Sequence, residues 1–367
     1  MLGDQAIDRE AARWGGVAFK RARECFCYGR ALSGTVGIKS EDVWVRDGQV
    51  TTQDRLRWIT GELTPEALLQ TVWQCLRGEI SPAIAITRLL IHTEDRQRVA
   101  ELLDVLAERV AALPSTSGEG RQAAEMHRLF RENQGGCERI AQLLRGGMNV
   151  NAVSPSPAEG IARIAQLCDW AVRQSEEASV ALYSLGDPQI LREATTEVIA
   201  LLDQWGILGP ERSILQIGCG IGRFEAALAS RVREVHGIDV APGMVEAARL
   251  RCRGLGNVHI QPCSGRDLGL FESGAFDLVY AVDTFPYLYQ EGPGLIEGHF
   301  AEVARVLKPG GDFVILNLTY RGNPEADRMD VQQLSQRHGF EVIVDGSYPF
   351  RLWDGRAWRM RRPQNAP

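Results

Sequence analysis

The sequence has no C-x-x-C pair, no apolar run approaching the roughly 20 residues of a membrane span, no excess of basic charge, and no internal repeat or low-complexity tract. Each absence removes a class of protein. Eight cysteines (Cys25, Cys27, Cys75, Cys137, Cys168, Cys219, Cys252 and Cys263) are scattered without framework spacing, which argues for reduced thiols and no metal site. Cys25 and Cys27 are the only close pair, and C-x-C alone is a weak ligand spacing. A formal charge of −6 leaves no electrostatic footprint for nucleic acid, and the arginines at 351, 356, 359, 361 and 362 read as a solvated edge. The first residues, "MLGDQAIDREAARWGG", put acids and arginines where a signal peptide would carry its apolar core. A cytoplasmic protein without membrane contact is expected.

Apolar residues make up 44% and charged residues 24%, which specifies a folded chain, and 367 residues suit two cores better than one. Residues 1–150 are expected to form a mainly helical accessory domain for substrate selection, lid closure or dimerisation. Val43–Thr51 alternates around Asp47-Gly48 and suits a short hairpin. Thr64-Pro65 and Ser81-Pro82 are helix starts, and apolar spacing predicts further helices over 96–113 and 121–144. "GGMNVNAVSPSPAEG", 146–160, is the strongest linker signal, so 151–180 reads as linker and lead-in helix and 181–367 as a second domain. Asp187-Pro188 opens another helix that Gly206 stops.

Strands and helices then alternate: strands over 213–217, 234–239, 257–262, 276–282, 312–318, 340–346 and 356–362, and helices over 222–232, 242–253, 296–308 and 327–338. That order predicts a parallel α/β sheet covered on both faces. In "SILQIGCGIGRF" an apolar strand runs into Gly218, Gly220 and Gly222. Glycines crowded at a strand end let a ligand lie against the backbone, and the next helix N-terminus offers unpaired N–H groups. Arg223 stands where a dinucleotide fold needs its third glycine, and no Gly-Lys-Ser/Thr follows, so neither that fold nor a P-loop fits. Asp239 ends the second strand, where it could accept both hydroxyls of a ribose or serve as a cap for the next helix. Asp267 follows the third strand and could accept from an adenine amine beside a donating backbone N–H, or simply form a turn. Asp283 ends the fourth, with Tyr287 and Tyr289 in the loop beyond.

"ILQIGCGIGRF", "HGIDVAPGMVEAAR", "FDLVYAVDTFPYL" and "EVARVLKPGGDFVILN" together resemble the class I S-adenosylmethionine-dependent methyltransferases over about 180–367. The resemblance implies a Rossmann-like, seven-stranded, mostly parallel sheet with an antiparallel last strand. It implies S-adenosylmethionine as cofactor and S-adenosylhomocysteine as product. It places the Gly218-Cys219-Gly220 backbone on the methionine part, with Gln216 and Gly222 in the same loop. Asp239 falls on the ribose, Val240 and Met244 beside adenine, Arg266 and Asp267 on the adenine edge, and Tyr183 in a lead-in segment over the cofactor. Gln216 replaces the family's usual acid, which removes the charge that attracts the methionine ammonium, and Asp283 could take over part of that role.

Methyl transfer needs positioning first and a base only when the acceptor loses a proton. Asp283 and Tyr287 are the catalytic candidates, and His299, within a helix, reads as structural. Asp283-Thr284-Phe285-Pro286 is not the Asn/Asp-Pro-Pro-aromatic motif of amide-methylating members, which disfavours nucleic-acid base or glutamine acceptors. A small-molecule acceptor is expected. The alternatives are a protein methyltransferase using the N-terminal helices, a non-catalytic binding protein on the same fold, and a nicotinamide-dependent oxidoreductase.

Overall fold

The computed structural model describes residues 66–110, 118–148 and 154–364. The hairpin expected at 43–51 and the Cys25/Cys27 pair lie outside them. Among the described residues no helix is long and apolar enough to cross a membrane.

The first unit is built from α1 (Glu66–Leu76), α2 (Pro82–Thr93), α3 (Arg96–Val110), α4 (Gly118–Glu132) and α5 (Gln134–Leu143). Ser81 starts α2 as its spacing predicts, accepting from the Ile84 N–H with Pro82 in the first turn. Leu68, Val72, Leu89, Leu103 and Phe130 meet in one apolar core that also takes in Ala171, Ala178, Leu185 and Ile190 from beyond the linker. The single helix expected over 121–144 is two. The two part at Asn133, with Gly135-Gly136 weakening the first turn of α5, and a Cβ on Gly136 would lie 1.7 Å from the Leu185 carbonyl oxygen, so its absence lets the lead-in backbone approach.

That lead-in comprises α6 (Pro157–Gln174), α7 (Glu176–Val180), a short turn at Leu182–Ser184 and α8 (Pro188–Gln204). Asp187 accepts from the Gln189 N–H to start α8.

The sheet follows in the order β3-β2-β1-β4-β5-β7-β6. Its parallel strands are β1 (Ser213–Ile217), β2 (Glu234–Asp239), β3 (Val258–Pro262), β4 (Phe276–Val282) and β5 (Leu307–Leu316); β6 (Glu341–Ser347) and β7 (Ala357–Arg361) complete it, with β7 antiparallel to both neighbours. The helices between them are α9 (Arg223–Leu228), α10 (Pro242–Arg251), α11 (Phe285–Gln290), α12 (Pro293–Val306) and α13 (Pro324–Arg337). Alternate residues of β4 and β5 divide between two cores: Leu278, Tyr280 and Val314 on one face, Val279, Phe313 and Ile315 on the other. Chain order reverses on either side of β1, between β2 and β4, which opens a crevice at the strands' carboxyl ends.

Two expectations change. Lys308-Pro309-Gly310-Gly311, expected as the turn between the helix over 296–308 and the strand over 312–318, lies inside β5 as an irregular bulge, because Leu307 already pairs with Phe276 while Asp312 pairs with Leu278. The C-terminal arginines are not all a solvated edge. Arg359 is buried and donates to Asp312 at 2.8 Å, with Arg361 on the same oxygen at 3.3 Å; cross-strand neighbours supply the counter-charge that burial requires.

Candidate active site

A cavity of about 570 Å³ lies at the carboxyl ends of β1, β2, β4 and β5 and extends beneath α1, α2 and the segment around Trp353. This size is usual for a small-ligand site. Of the residues singled out from sequence, Gln216, Gly218, Cys219, Gly220, Asp239, Val240, Met244, Asp267, Asp283, Tyr287 and Tyr183 all line it.

Gly222 and Arg266 are not among the lining residues. Gly222 serves packing instead, since a Cβ there would fall 2.9 Å from the Cα of Ala248 on α10. Tyr289 also turns elsewhere, donating to Asp330 and accepting from Arg321.

The glycine loop works differently from the expectation. The N–H groups of Gly218 and Cys219 both go to the Ile238 carbonyl, at 2.8 and 2.9 Å, and Gly220 N–H goes to Asp239. These three donors already have partners. Glycine is needed because Gly218 has φ +73° and a Cβ there would lie 2.2 Å from Thr284 Oγ1.

Asp239 does not cap α10, whose N-cap is Ala241 with no side-chain hydrogen bond; it ties the glycine loop to the end of β2. Its Oδ2 accepts from Gly220 N–H and its Oδ1 from Ala241 N–H, each at 2.9 Å. Each carboxylate oxygen has a second lone pair, so the group that ties loop to strand can still accept from a ligand in the cavity. Burial raises its pKa, opposed by those backbone donors.

Gln216 is 2% exposed. Its Nε2 donates to the Gly218 carbonyl at 3.3 Å, while its Oε1 is buried with no hydrogen-bond partner. A buried orphan acceptor costs free energy unless something donates to it.

At the other end, Asp267 Oδ1 accepts from Gly269 N–H in a local turn. The neighbouring backbone donors are occupied, Arg266 N–H by Ser264 and Leu268 N–H by Glu302, so neither supplies the donor expected there. His299 also lines the cavity. Its Nδ1 donates to the Leu295 carbonyl, which leaves Nε2 as an acceptor in the neutral ring, and burial lowers its pKa against that hydrogen bond.

The third group surrounds Asp283. Asp283 and Asn317, ending adjacent strands, both adopt left-handed backbone, φ +57° and +71°, which is uncommon outside glycine. Asn317 donates to Asp283 Oδ1 at 2.7 Å. Burial pushes the Asp283 carboxyl up to about 6, against hydrogen bonds from Asn317 and Tyr320. Tyr287 and Tyr320 meet edge to face at 6.0 Å, placed by the short helix α11 that the sequence reading took for loop. Tyr183 stacks on Trp353, and its hydroxyl accepts from Arg223 at 3.3 Å.

Thr284, Asn317, Tyr320, Trp353, Arg88 and His92 line the cavity without having been singled out. Asn317 and Tyr320 follow a strand end and were open to the same argument as Asp283. Arg88, His92 and Trp353 carry no local signal.

Residues 215–315 match a family model described as "Methyltransferase domain". Over 144 residues the chain is 33% identical to a demethylmenaquinone methyltransferase of Clavibacter sepedonicus, spanning 39% of this chain and 54% of that protein. It is 27% identical over 166 residues to phosphoethanolamine N-methyltransferase 3 of Arabidopsis thaliana, spanning 44% and 31%. Over 136 residues it is 28% identical to an S-adenosyl-L-methionine-dependent Diels-Alderase of Talaromyces variabilis, spanning 36% and 45%. The chain thus spans between a third and about half the length of these relatives. A solved geranyl diphosphate methyltransferase with sinefungin bound is similar at 20% identity and TM-score 0.38, spanning 49% of this chain and 85% of that one.

Proposed function

We propose that this chain, whose C-terminal part is a class I S-adenosylmethionine-dependent methyltransferase domain, transfers a methyl group to a small organic acceptor held between the sheet and the N-terminal helices. The observation that carries the reading is the orphaned Gln216 acceptor in the same cavity as Asp239 and the bare glycine loop. A cationic amine beside Gln216 and a diol beside Asp239 are the complements of those groups, and the cofactor's amino-acid and ribose parts offer both.

When bound, S-adenosylmethionine supplies an electrophilic methyl on a sulfonium. Gln216 would accept from the ammonium, Asp239 from the ribose hydroxyls and Asp267 from the adenine amine, with Val240 and Met244 beside the ring. Tyr183 and Tyr287 form walls of the acceptor end, and positioning is the main catalytic contribution. Asp283, raised toward neutrality, takes the proton from an acceptor that must lose one. The roof of α1, α2 and the Trp353 segment favours a small molecule over a protein chain. The names of the methyltransferase relatives agree with that choice.

Calorimetric titration with S-adenosylmethionine, S-adenosylhomocysteine and NAD, alongside Asp239→Ala, tests the reading. Binding of the first two at micromolar concentration, lost in the variant, supports it. Absence of both, or preference for NAD, overturns it. Binding without methyl transfer to any candidate acceptor would shift the reading to the non-transferring chemistry named for the Talaromyces relative.

A further inference from the structure

Glu234 and His236 are two residues apart on β2 and so share a face of the sheet, and His259 on the edge strand β3 pairs directly across from His236. Glu234 Oε2 lies 3.5 Å from His236 Nε2 and 4.0 Å from His259 Nε2. One ligand atom from each residue falls within 4.8 Å of the others.

Two of the three side chains are held by their neighbours, and the third is free to turn. The His236 ring is held edge to face by Phe271 and Phe276, at 5.8 and 5.3 Å. Its Nδ1 is buried without a partner, so Nε2, facing Glu234, is the nitrogen it can offer. The Glu234 carboxylate is anchored through Oε1 by Ser213 and Arg233, leaving Oε2 to the histidines. Anchoring of a ligating carboxylate from behind is how metal sites fix their ligands. The His259 side chain is 43% exposed, which leaves room for ion entry and for a water in a fourth position.

We propose that Glu234, His236 and His259 form a binding site for a divalent transition-metal ion, zinc in the first instance, which clips the edge strand β3 to β2. Two imidazoles, one carboxylate and a water make a four-coordinate set suited to zinc. In such a set the ligand atoms stand about 3.3–3.5 Å apart, so rotation of the exposed His259 ring closes the remaining gap. The site lies toward the starts of β2 and β3, whereas the cavity lies at the strand ends, and it is independent of the proposed methyl transfer. No spacing rule could find it, because His236 and His259 are separated by a helix and meet only through strand pairing.

Cobalt(II) titration of the chelator-treated, reduced full-length protein, followed by visible absorption, with zinc binding measured by calorimetry, tests the site. One equivalent should bind with ligand-field bands of a nitrogen and oxygen set and no near-ultraviolet thiolate charge-transfer band. His259→Ala, at an exposed position, and Glu234→Gln should each weaken binding at least about ten-fold while the far-ultraviolet circular dichroism stays unchanged. Absence of stoichiometric binding overturns the site. So does affinity that survives in His259→Ala, or a thiolate band assigning the ion to cysteines.

Discussion

The Arg88 guanidinium donates two hydrogen bonds, 3.2 Å from Nε and 2.7 Å from Nη2, to one carboxylate oxygen of Asp354, 266 positions away in the chain. Arg88 also donates to Gln74, so the contact ties α1 and α2 to the Trp353 segment across the cavity. The pair is partly exposed, which limits its worth to about 1 kcal/mol or less. Arg88→Met should therefore lower Tm only slightly. It should raise KM for the acceptor several-fold while leaving the affinity for S-adenosylhomocysteine nearly unchanged; a larger loss of cofactor affinity would contradict this division of the cavity.

Gln216→Leu removes the orphan acceptor at nearly constant volume. A hydrogen bond to a charged group contributes about 1.5–3 kcal/mol, so S-adenosylhomocysteine should bind about 10- to 100-fold more weakly. Methylthioadenosine, which lacks the amino-acid part, should bind as before. Equal loss of both ligands in calorimetry would place Gln216 elsewhere than beside the ammonium.

Asp283, pushed up to about 6 by burial, holds its proton more tightly in the folded chain than in the unfolded one, where the value is near 3.9. The folded state binds more protons in that window, so this group's contribution to stability is present below about pH 4 and is lost as pH rises through about 6. Asp283→Asn keeps the Asn317 contact and tolerates the left-handed backbone. It should raise Tm at pH 8 by a few degrees, a gain that vanishes near pH 4. For an acceptor that must lose a proton, kcat should fall about 100-fold or more, and the wild-type rise of kcat/KM through pH 6 should disappear.

Glu225, fully buried on α9, has neither carboxylate oxygen in a hydrogen bond and is pushed up to about 8 by burial. By the same sign, the stability tied to its neutral form is present below about pH 4 and is lost as pH rises through 8. Glu225→Gln should flatten the fall of Tm between about pH 4 and 8. An unchanged pH profile in thermal melts would mean that another group carries it.

The sequence was most legible where local chemistry repeats. The bounds of β1, β2 and β4 follow from apolar runs that stop at Gly218, Asp239 and Asp283, and Ser81 and Asp187 were readable as helix starts because capping is satisfied within three residues. The close approach at Gly136 and the bulge at 308–311 were not. One depends on the Leu185 carbonyl from another segment, the other on register against β4.

The candidate site divides along the same line. Gln216, Gly218, Asp239 and Asp283 stand at strand ends, and a parallel sheet brings strand ends together whatever the details of packing. Their order in the chain was enough to name them. Arg88 reaches Asp354, His236 meets His259, and Arg359 is buried against Asp312 only because helices dock and strands pair across long stretches of chain. The sequence alone determined the alternating sheet and the glycine loop, since both arise from short-range periodicity and backbone freedom. The tertiary structure decided which charges are paired, which acceptors are left unsatisfied and what roofs the cavity, because those depend on contacts between residues that no local pattern connects.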